Sequence, residues 1–265
     1  MIIDFHTHAF PDNVAERALK RVESKGGIKP KFDGTLSGLL LSMDKAGISI
    51  SVVLSIATRP GQFDSILKWS GTIRSDRIIP FPSVHPDDYY VQEHIREIKK
   101  QGFKGLKMHP YFQNFYVDEE RMFPVYETIA GSDLILVLHC GFDFAYERID
   151  RAGPQRILRV VERCPELKLV AAHSGGWQQW DDVEKLLTGK NIYFEISFSQ
   201  GFMNDKQFKR MIVKHSSDLI LFGTDTPWAD QKAALENFEN LKISQDIKSN
   251  IFFKNAMRLL KIDDS

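Results

Sequence analysis

The strongest constraint in this chain is a rhythm. Short apolar runs rich in β-branched residues recur along it, at 2–5, 50–56, 78–84, 103–108, 134–138, 167–172, 192–196 and 219–222. Each has strand length. Helical spacing fills the intervals: Leu36, Leu39, Leu40 and Met43 fall at i, i+3, i+4, i+7, as do Ile157, Val160, Val161 and Cys164, and Val91, Ile95 and Ile98 keep one face. Pro154 marks a helix start, Pro165 follows a helix end, and Gly47 and Gly102 stand where a left-handed residue closes a helix. Strands alternating with helices predict parallel β-α units. A doubly wound sheet would place a glycine-rich phosphate turn after the first strand; this one ends in His6-Thr7-His8. The expectation is therefore a (β/α)8 TIM-type barrel, a single domain over residues 1–265. Residues 9–34 form a long passage between the first strand and the first barrel helix. Val14, Ala18 and Val22 predict a short helix inside it, and its place at the active face of a barrel makes it a candidate lid.

Charge narrows the function classes. Lys plus Arg number 35 and Asp plus Glu 35, so the formal net charge is zero. That argues against a nucleic-acid partner, which selects a basic excess. The longest apolar run, 134–138, is far short of a membrane span. The two cysteines, Cys140 and Cys164, suggest no disulfide scaffold, and the chain opens in Met1-Ile2-Ile3 without a basic, then apolar, leader. The expected setting is cytoplasmic and the expected partner a small molecule, with a homodimer left open. No G-x-S-x-G elbow or P-loop occurs, so serine hydrolysis and phosphoryl transfer have no support.

Ionisable residues interrupt or close these strands in phase. Asp4-x-His6-x-His8 closes the first, and strand alternation would turn all three to one face. Lys107 and His109 close the fourth, His139 the fifth, His173 the sixth and Asp225 the eighth, while Glu195 lies in the seventh. The steps from Lys107 to His139, His139 to His173 and Glu195 to Asp225 are each about 30 residues, the length of one β-α unit. Such a set reads as a ring at the barrel mouth, where catalytic side chains gather. Imidazoles and carboxylates without thiolate suit Zn²⁺, Mn²⁺ or Fe²⁺. Three His and one Asp would leave a coordination position for water, whose pKa such an ion lowers to about 7.

The ordered motifs Asp4-x-His6-x-His8, Gly102-Phe103-Lys104-Gly105-Leu106-Lys107-Met108-His109-Pro110, His139-Cys140-Gly141, His173-Ser174-Gly175-Gly176 and Gly223-Thr224-Asp225-Thr226-Pro227-Trp228 resemble the amidohydrolase superfamily. More narrowly, they resemble the amidohydrolase-related branch that includes aminocarboxymuconate-semialdehyde decarboxylase. The closing Asn255-Ala256-Met257-Arg258-Leu259-Leu260 is similar to that branch's final helix. The resemblance implies a distorted barrel holding a divalent metal, Zn²⁺ first and one per chain, with Mn²⁺ or a second metal as alternatives. It implies His6, His8 and His139 as ligands, Asp225 as ligand or acid/base, and His173 as acid/base or electrophile. Members with two metals bridge them by a carbamylated Lys or a Glu on the fourth strand, where Lys107 stands; the simpler reading makes Lys107 and His109 a site for a substrate carboxylate. Related decarboxylases are commonly longer, which leaves less loop material here.

Trp177 and Trp228 follow His173 and Asp225 and are candidates for an apolar substrate wall. Arg59, and after it Arg148, could clamp a carboxylate. Glu195 could orient a ligating imidazole. His85 reads as structural or pocket-lining, Cys140 as a small core residue, and His94 and His215 as surface or interhelical. The reading put first is a metal-dependent hydrolase of a small amide, lactone or ester. The alternative is a metal-dependent non-oxidative decarboxylase of an unsaturated or aromatic acid. A binding protein that has lost catalysis is disfavoured, because every expected metal position is intact.

Overall fold

The computed structural model describes residues 1–262. All eight apolar runs are strands: β1 Ile3–Thr7, β2 Ile50–Leu54, β3 Ile78–Phe81, β4 Gly105–Met108, β5 Ile135–Leu138, β6 Lys168–Ala171, β7 Tyr193–Glu195 and β8 Ile220–Leu221. Regular parallel ladders join β1-β2-β3 and β4-β5-β6-β7-β8. Single bonds close the two seams. At one, Phe5 N–H donates to Phe222 O (2.9 Å), Asp225 N–H to His6 O (2.7 Å) and His8 N–H to Thr226 O (2.7 Å). At the other, Lys107 N–H donates to Pro82 O (2.9 Å) and Ser83 Oγ–H to Lys107 O (2.8 Å). The result is a (β/α)8 barrel whose closure is carried by residues of the functional ring.

The barrel helices are α2 Leu36–Ala46, α3 Phe63–Ile73, α4 Val91–Lys100, α5 Phe123–Gly131, α6 Pro154–Arg163, α7 Trp180–Leu186, α8 Asp205–Lys214 and α9 Gln231–Glu239. Three more stand outside the strict alternation. Helix α1, Asp12–Gly26, lies in the first β-α passage, and α10, Gln245–Ser249, and α11, Asn255–Leu260, follow α9. Periodicity placed the buried faces well: Leu39 and Met43 in α2, Ile95 and Ile98 in α4, and Ile157 and Val160 in α6 are buried. Gly47 closes α2 at φ 73°, the left-handed conformation that favours glycine. Thr35 and Asn204 cap α2 and α8 by accepting backbone N–H bonds.

Three clusters divide the apolar side chains; in one of them Leu39, Met43 and Ala46 of α2 meet Val53 and Ile78. Ile3, Phe5, Val52, Leu54, Phe81, Ile135, Val137, Val170 and Leu221 share another cluster with Ala256, Met257, Leu259 and Leu260 of α11. Residues from so many strands meet only inside the barrel, and α11 plugs the end where the strands begin. The alternate residues Leu106, Met108, Leu136, Leu138 and Ala171 pack outward with α4 and α6. Each such buried aliphatic side chain contributes about 1.5–3 kcal/mol.

One local expectation is corrected. The β1–β2 register slips between Asp4 and Thr7. Such a bulge puts two residues opposite one and re-aims the chain. Ile3 and Phe5 therefore fill the interior, and Asp4 is not on the face of His6 and His8. Its carboxylate accepts from Thr224 N–H (3.0 Å), Thr224 Oγ–H (2.6 Å) and Gln231 Nε2–H (2.8 Å), which ties β1 to the turn after β8.

Candidate metal centre and substrate cavity

His6, His8, Lys107, His109, His139, His173, Glu195 and Asp225 are all buried at the ends of their strands. Two of them sit in strained turns: His173 has φ 58° and Asp225 φ 64°. Left-handed backbone in such residues costs of order 1 kcal/mol and persists only where the surroundings hold it. Here Ser174 N–H donates to Glu195 O (2.7 Å) and Asp225 N–H to His6 O. Gly141, at φ 83°, leaves no room for a side chain: a Cβ there would lie 2.0 Å from Trp177 N. The loops after β5 and β6 are thus locked backbone to backbone.

The outer ring nitrogens reveal the tautomers. His8 Nδ1 is 2.8 Å from Leu54 O, and His139 Nε2 is 2.9 Å from Phe142 O. A carbonyl only accepts, so these nitrogens carry the proton. His6 Nδ1 is 2.7 Å from Glu195 Oε2. His173 Nδ1 faces Ser197 Oγ at 3.0 Å and Ser197 O at 3.3 Å. With Glu195 ionised and the Ser197 hydroxyl donating to it, all four imidazoles are left with an unprotonated inner nitrogen. These inner atoms crowd together. His8 Nε2 and His6 Nε2 lie 3.1 Å and 3.6 Å from Asp225 Oδ1, Lys107 Nζ lies 3.4 Å from His6 Nε2, and His173 Nε2 lies 3.0 Å from His139 Nδ1. The Lys107 ammonium donates toward His6 Nε2, but the lone pairs of His139 and His173, and those of the imidazoles and Asp225, repel unless a cation or a proton takes one of them up.

The charge states agree. Burial, then the charge of Lys107, pushes His6 well below its ordinary value; burial and neighbouring His109 do the same to His139. Burial and His139 bring His173 to about 3. These three imidazoles are neutral at neutral pH, so the approach of His6 to Asp225 is not an ion pair. Burial lowers Lys107 to about 8 against the pull of Asp225 and Glu195, and raises Glu195 to about 8 against its bonds from Ser197; a cation held at His6 would favour the ionised carboxylate. The donor set fits a divalent cation: inward-facing neutral imidazoles, a carboxylate and no thiolate.

The grouping is uneven. Donor atoms of His6, His8 and Asp225 all lie within 4.8 Å of one another. His139 stands one imidazole further round, against His173, and stacks on His109 with ring centroids 4.1 Å apart. Asp143 joins them, its Oδ2 3.3 Å from His109 Nε2. Spacing did not flag Asp143, whose only sequence signal is its place one short loop beyond His139.

Above the ring opens a cavity of about 460 Å³, a small-molecule volume. His6, His8, Lys107, His109, His139, His173 and Asp225 all border it, as do Trp177 and Trp228, with Phe112, Phe142, Phe144 and Phe198 as further aromatic wall. Arg59 is exposed and does not border it, and neither does Arg148, which bonds Gln178 at the surface. The arginines at the cavity are Arg17 and Arg21, one turn apart on α1 beside Val14, Ala18 and Val22. Sequence reasoning missed them, although their i, i+4 spacing inside the candidate lid was legible. His109 Nδ1 and Trp177 Nε1 are buried without a hydrogen-bond partner among the described residues. His215 is buried rather than superficial: it closes α8, stacks on Phe194 and bonds Ile192 O and Gly189 N–H. Cys140 is a core residue. No helix of the described residues is long and apolar enough to cross a membrane.

Known proteins resemble the chain in the same terms. Gamma-resorcylate decarboxylase from Polaromonas sp. strain JS666 is 23% identical over 211 residues, covering 63% of this chain and 65% of that protein. The chain thus matches just under two thirds of that relative's length. A TIM-barrel protein from Bordetella bronchiseptica superposes with a TM-score of 0.78 at 20% identity, over 98% of both chains. A dihydroxybenzoic acid decarboxylase from Polaromonas sp. JS666, solved with bound manganese and the inhibitor 2-nitroresorcinol, superposes with a TM-score of 0.69 at 17% identity, over 100% of this chain and 98% of the other. These structural likenesses establish the barrel. The amidohydrolase family model matches residues 3–262, and with nearly the whole chain so covered, the protein belongs to the amidohydrolase family.

Proposed function

We propose that this chain is a metal-dependent, non-oxidative decarboxylase of a small aromatic acid. The observation that carries the reading is the cavity itself, where a floor of inward-facing imidazoles, Asp225 and Lys107 meets walls of Phe112, Phe142, Phe144, Trp177, Phe198 and Trp228. A flat ring bearing a carboxylate matches both surfaces. The names of the relatives, decarboxylases of gamma-resorcylate and of dihydroxybenzoic acid, favour this over the hydrolase reading that the sequence put first.

In this reading His6, His8, His139 and Asp225 hold the ion, Mn²⁺ or Zn²⁺. When bound, it would supply positive charge that stabilises the acid's carboxylate. Lys107 Nζ adds a second cation at the floor, and Arg17 and Arg21 select anions at the mouth. Helix α1 acts as a lid over the cavity; its end at Gly26 is fitted against Phe144, where a Cβ would lie 2.1 Å from the ring. The bond from ring to carboxyl breaks, carbon dioxide leaves, and the electron pair remaining on the ring carbon takes up a proton. Asp225, in the cavity wall, is the group placed to carry that proton. His173, with Nδ1–H committed to Ser197, presents Nε2 as an acceptor for a proton from the substrate. The unpartnered His109 Nδ1 and Trp177 Nε1 are the polar atoms that ring substituents satisfy.

Carbon dioxide release from a panel of hydroxybenzoates and benzene dicarboxylates, with protein loaded with Mn²⁺ or Zn²⁺, tests the proposal. No release from any of them sinks it. The second reading is then hydrolysis of a small amide, lactone or ester, supported by Asp225 Oδ1 lying 3.1 Å from His8 Nε2, where a carboxylate can take a proton from water. Turnover of such substrates without carbon dioxide release would establish it.

A further inference from the structure

Glu195 lies in β7, on a different strand from every residue assigned to the ion, and the proposed reaction gives it no step. It is nonetheless bonded at both carboxylate oxygens. Its Oε1 accepts from Ser197 N–H at 2.5 Å. Its Oε2 accepts from His6 Nδ1–H at 2.7 Å and from Ser197 Oγ–H at 2.8 Å. The same hydroxyl lies 3.0 Å from His173 Nδ1 and 3.2 Å from His6 Nδ1. Since the hydroxyl proton goes to Glu195, the oxygen is left to accept from the imidazoles. Both residues are buried. The chain also makes room for the group. Gly223, on the neighbouring β8 side, has no Cβ, and one added there would lie 2.1 Å from Glu195 Oε1.

We infer that Glu195 and Ser197 are the positioning residues of the centre: one buried carboxylate sets the tautomer of His6 directly and, through the Ser197 hydroxyl, that of His173. The inference rests on the metal-centre reading above. Its physical content is that an imidazole ligates through a lone pair only while its other nitrogen keeps the proton, and a carboxylate partner both holds that proton and raises ligand basicity. An amide cannot replace the carboxylate. Glu195 uses both oxygens as acceptors, on opposite sides, and a glutamine has one. Glu195→Gln therefore either turns an N–H₂ group toward His6 Nδ1 or leaves Ser197 N–H facing one.

The test uses the full chain with Zn²⁺ alone as the probe, its affinity read by competition with a chelator. The imidazole ¹⁵N–H signals of histidine-labelled protein are followed in parallel. Glu195→Gln is expected to bind Zn²⁺ about 10- to 100-fold more weakly than wild type, with the His6 Nδ1–H signal shifted or lost. Ser197→Ala is expected to keep Zn²⁺ affinity close to wild type while moving the His173 signal, and Ser197→Thr, which retains the hydroxyl, to restore it. Glu195→Gln that is folded by circular dichroism and binds Zn²⁺ like wild type overturns the inference. So does a His173 signal indifferent to Ser197→Ala, which needs no folded Glu195 variant. Wild-type protein that takes up no Zn²⁺ overturns the metal-centre reading itself, a result distinct from either.

Discussion

His139 Nδ1 and His173 Nε2 face each other at 3.0 Å, and each ring has its proton committed on the far nitrogen, to Phe142 O and to Ser197. Two lone pairs held at that distance are an electrostatic cost, which an ion that takes up the His139 lone pair relieves. Ion binding should therefore stabilise the fold. At a free metal concentration about 100 times the Kd the gain is about 2.7 kcal/mol, which for a chain of this size raises Tm by roughly 5–10 °C. Differential scanning calorimetry of chelator-treated and Mn²⁺- or Zn²⁺-reloaded protein measures it; equal Tm values would count against the site.

Asp225→Asn keeps the volume and an oxygen ligand but cannot carry a proton as a carboxyl does. Turnover should fall by at least about 100-fold while the circular dichroism spectrum and the fold are retained. Activity within a few-fold of wild type would remove Asp225 from the proposed chemistry.

Arg17 and Arg21 border the cavity from α1, and neither forms an ion pair among the described residues. Replacing either by Ala should raise KM for an anionic substrate about 10-fold, the loss of one charge-assisted hydrogen bond, with kcat little changed because the group is remote from the breaking bond. Arg59→Ala, at an exposed position off the cavity, serves as the control and should leave both constants alone. An effect at Arg59 equal to that at Arg17 and Arg21 would contradict this assignment of the cavity mouth.

His215 offers a pH prediction away from the ion. Its Nδ1 accepts from Gly189 N–H at 3.1 Å and its Nε2–H donates to Ile192 O at 2.9 Å, so both nitrogens are used in the neutral form. Burial lowers its folded pKa below the ordinary value of 6.5. A base with a depressed folded pKa is protonated first in the unfolded chain. The stability it contributes is thus complete above 6.5 and is lost as pH falls below it, at up to about 1.4 kcal/mol per pH unit until the folded group also titrates. Denaturant melts between pH 7.5 and 5.5 should show this slope, and His215→Asn should flatten it. An unchanged slope in the variant would assign the acid sensitivity elsewhere.

The strands were legible because a parallel barrel strand is buried on both faces. Its sequence is then a short unbroken apolar run, and all eight runs became strands, with ends displaced by a few residues. The ring of ionisable residues was legible for the same reason: a charge that closes a buried strand stands out. Lys107, His109, His139 and His173 were placed at strand ends, and Glu195 within the seventh strand, from the apolar runs they close or interrupt. Asp4 was misplaced because a bulge is a slip of register against a neighbour, and nothing in one strand records it. Helix α1 and the closing α11 were also expected, and only the short α10 was not: at five residues it offers too little periodicity to read.

Strand and helix periodicity, with the phase of the polar residues, determined by themselves that this chain closes into a barrel with a ring of potential ligands at one end. Such patterns are local, repeating every two or every three to four residues, and one sequence suffices to show them. Which arginines reach the cavity, which imidazole stands beside which, and which nitrogen of each keeps the proton were decided only in three dimensions. Those facts depend on partners such as Glu195 and Ser197 for His6, or Phe142 for His139, brought together by loops whose course the packing of the barrel dictates.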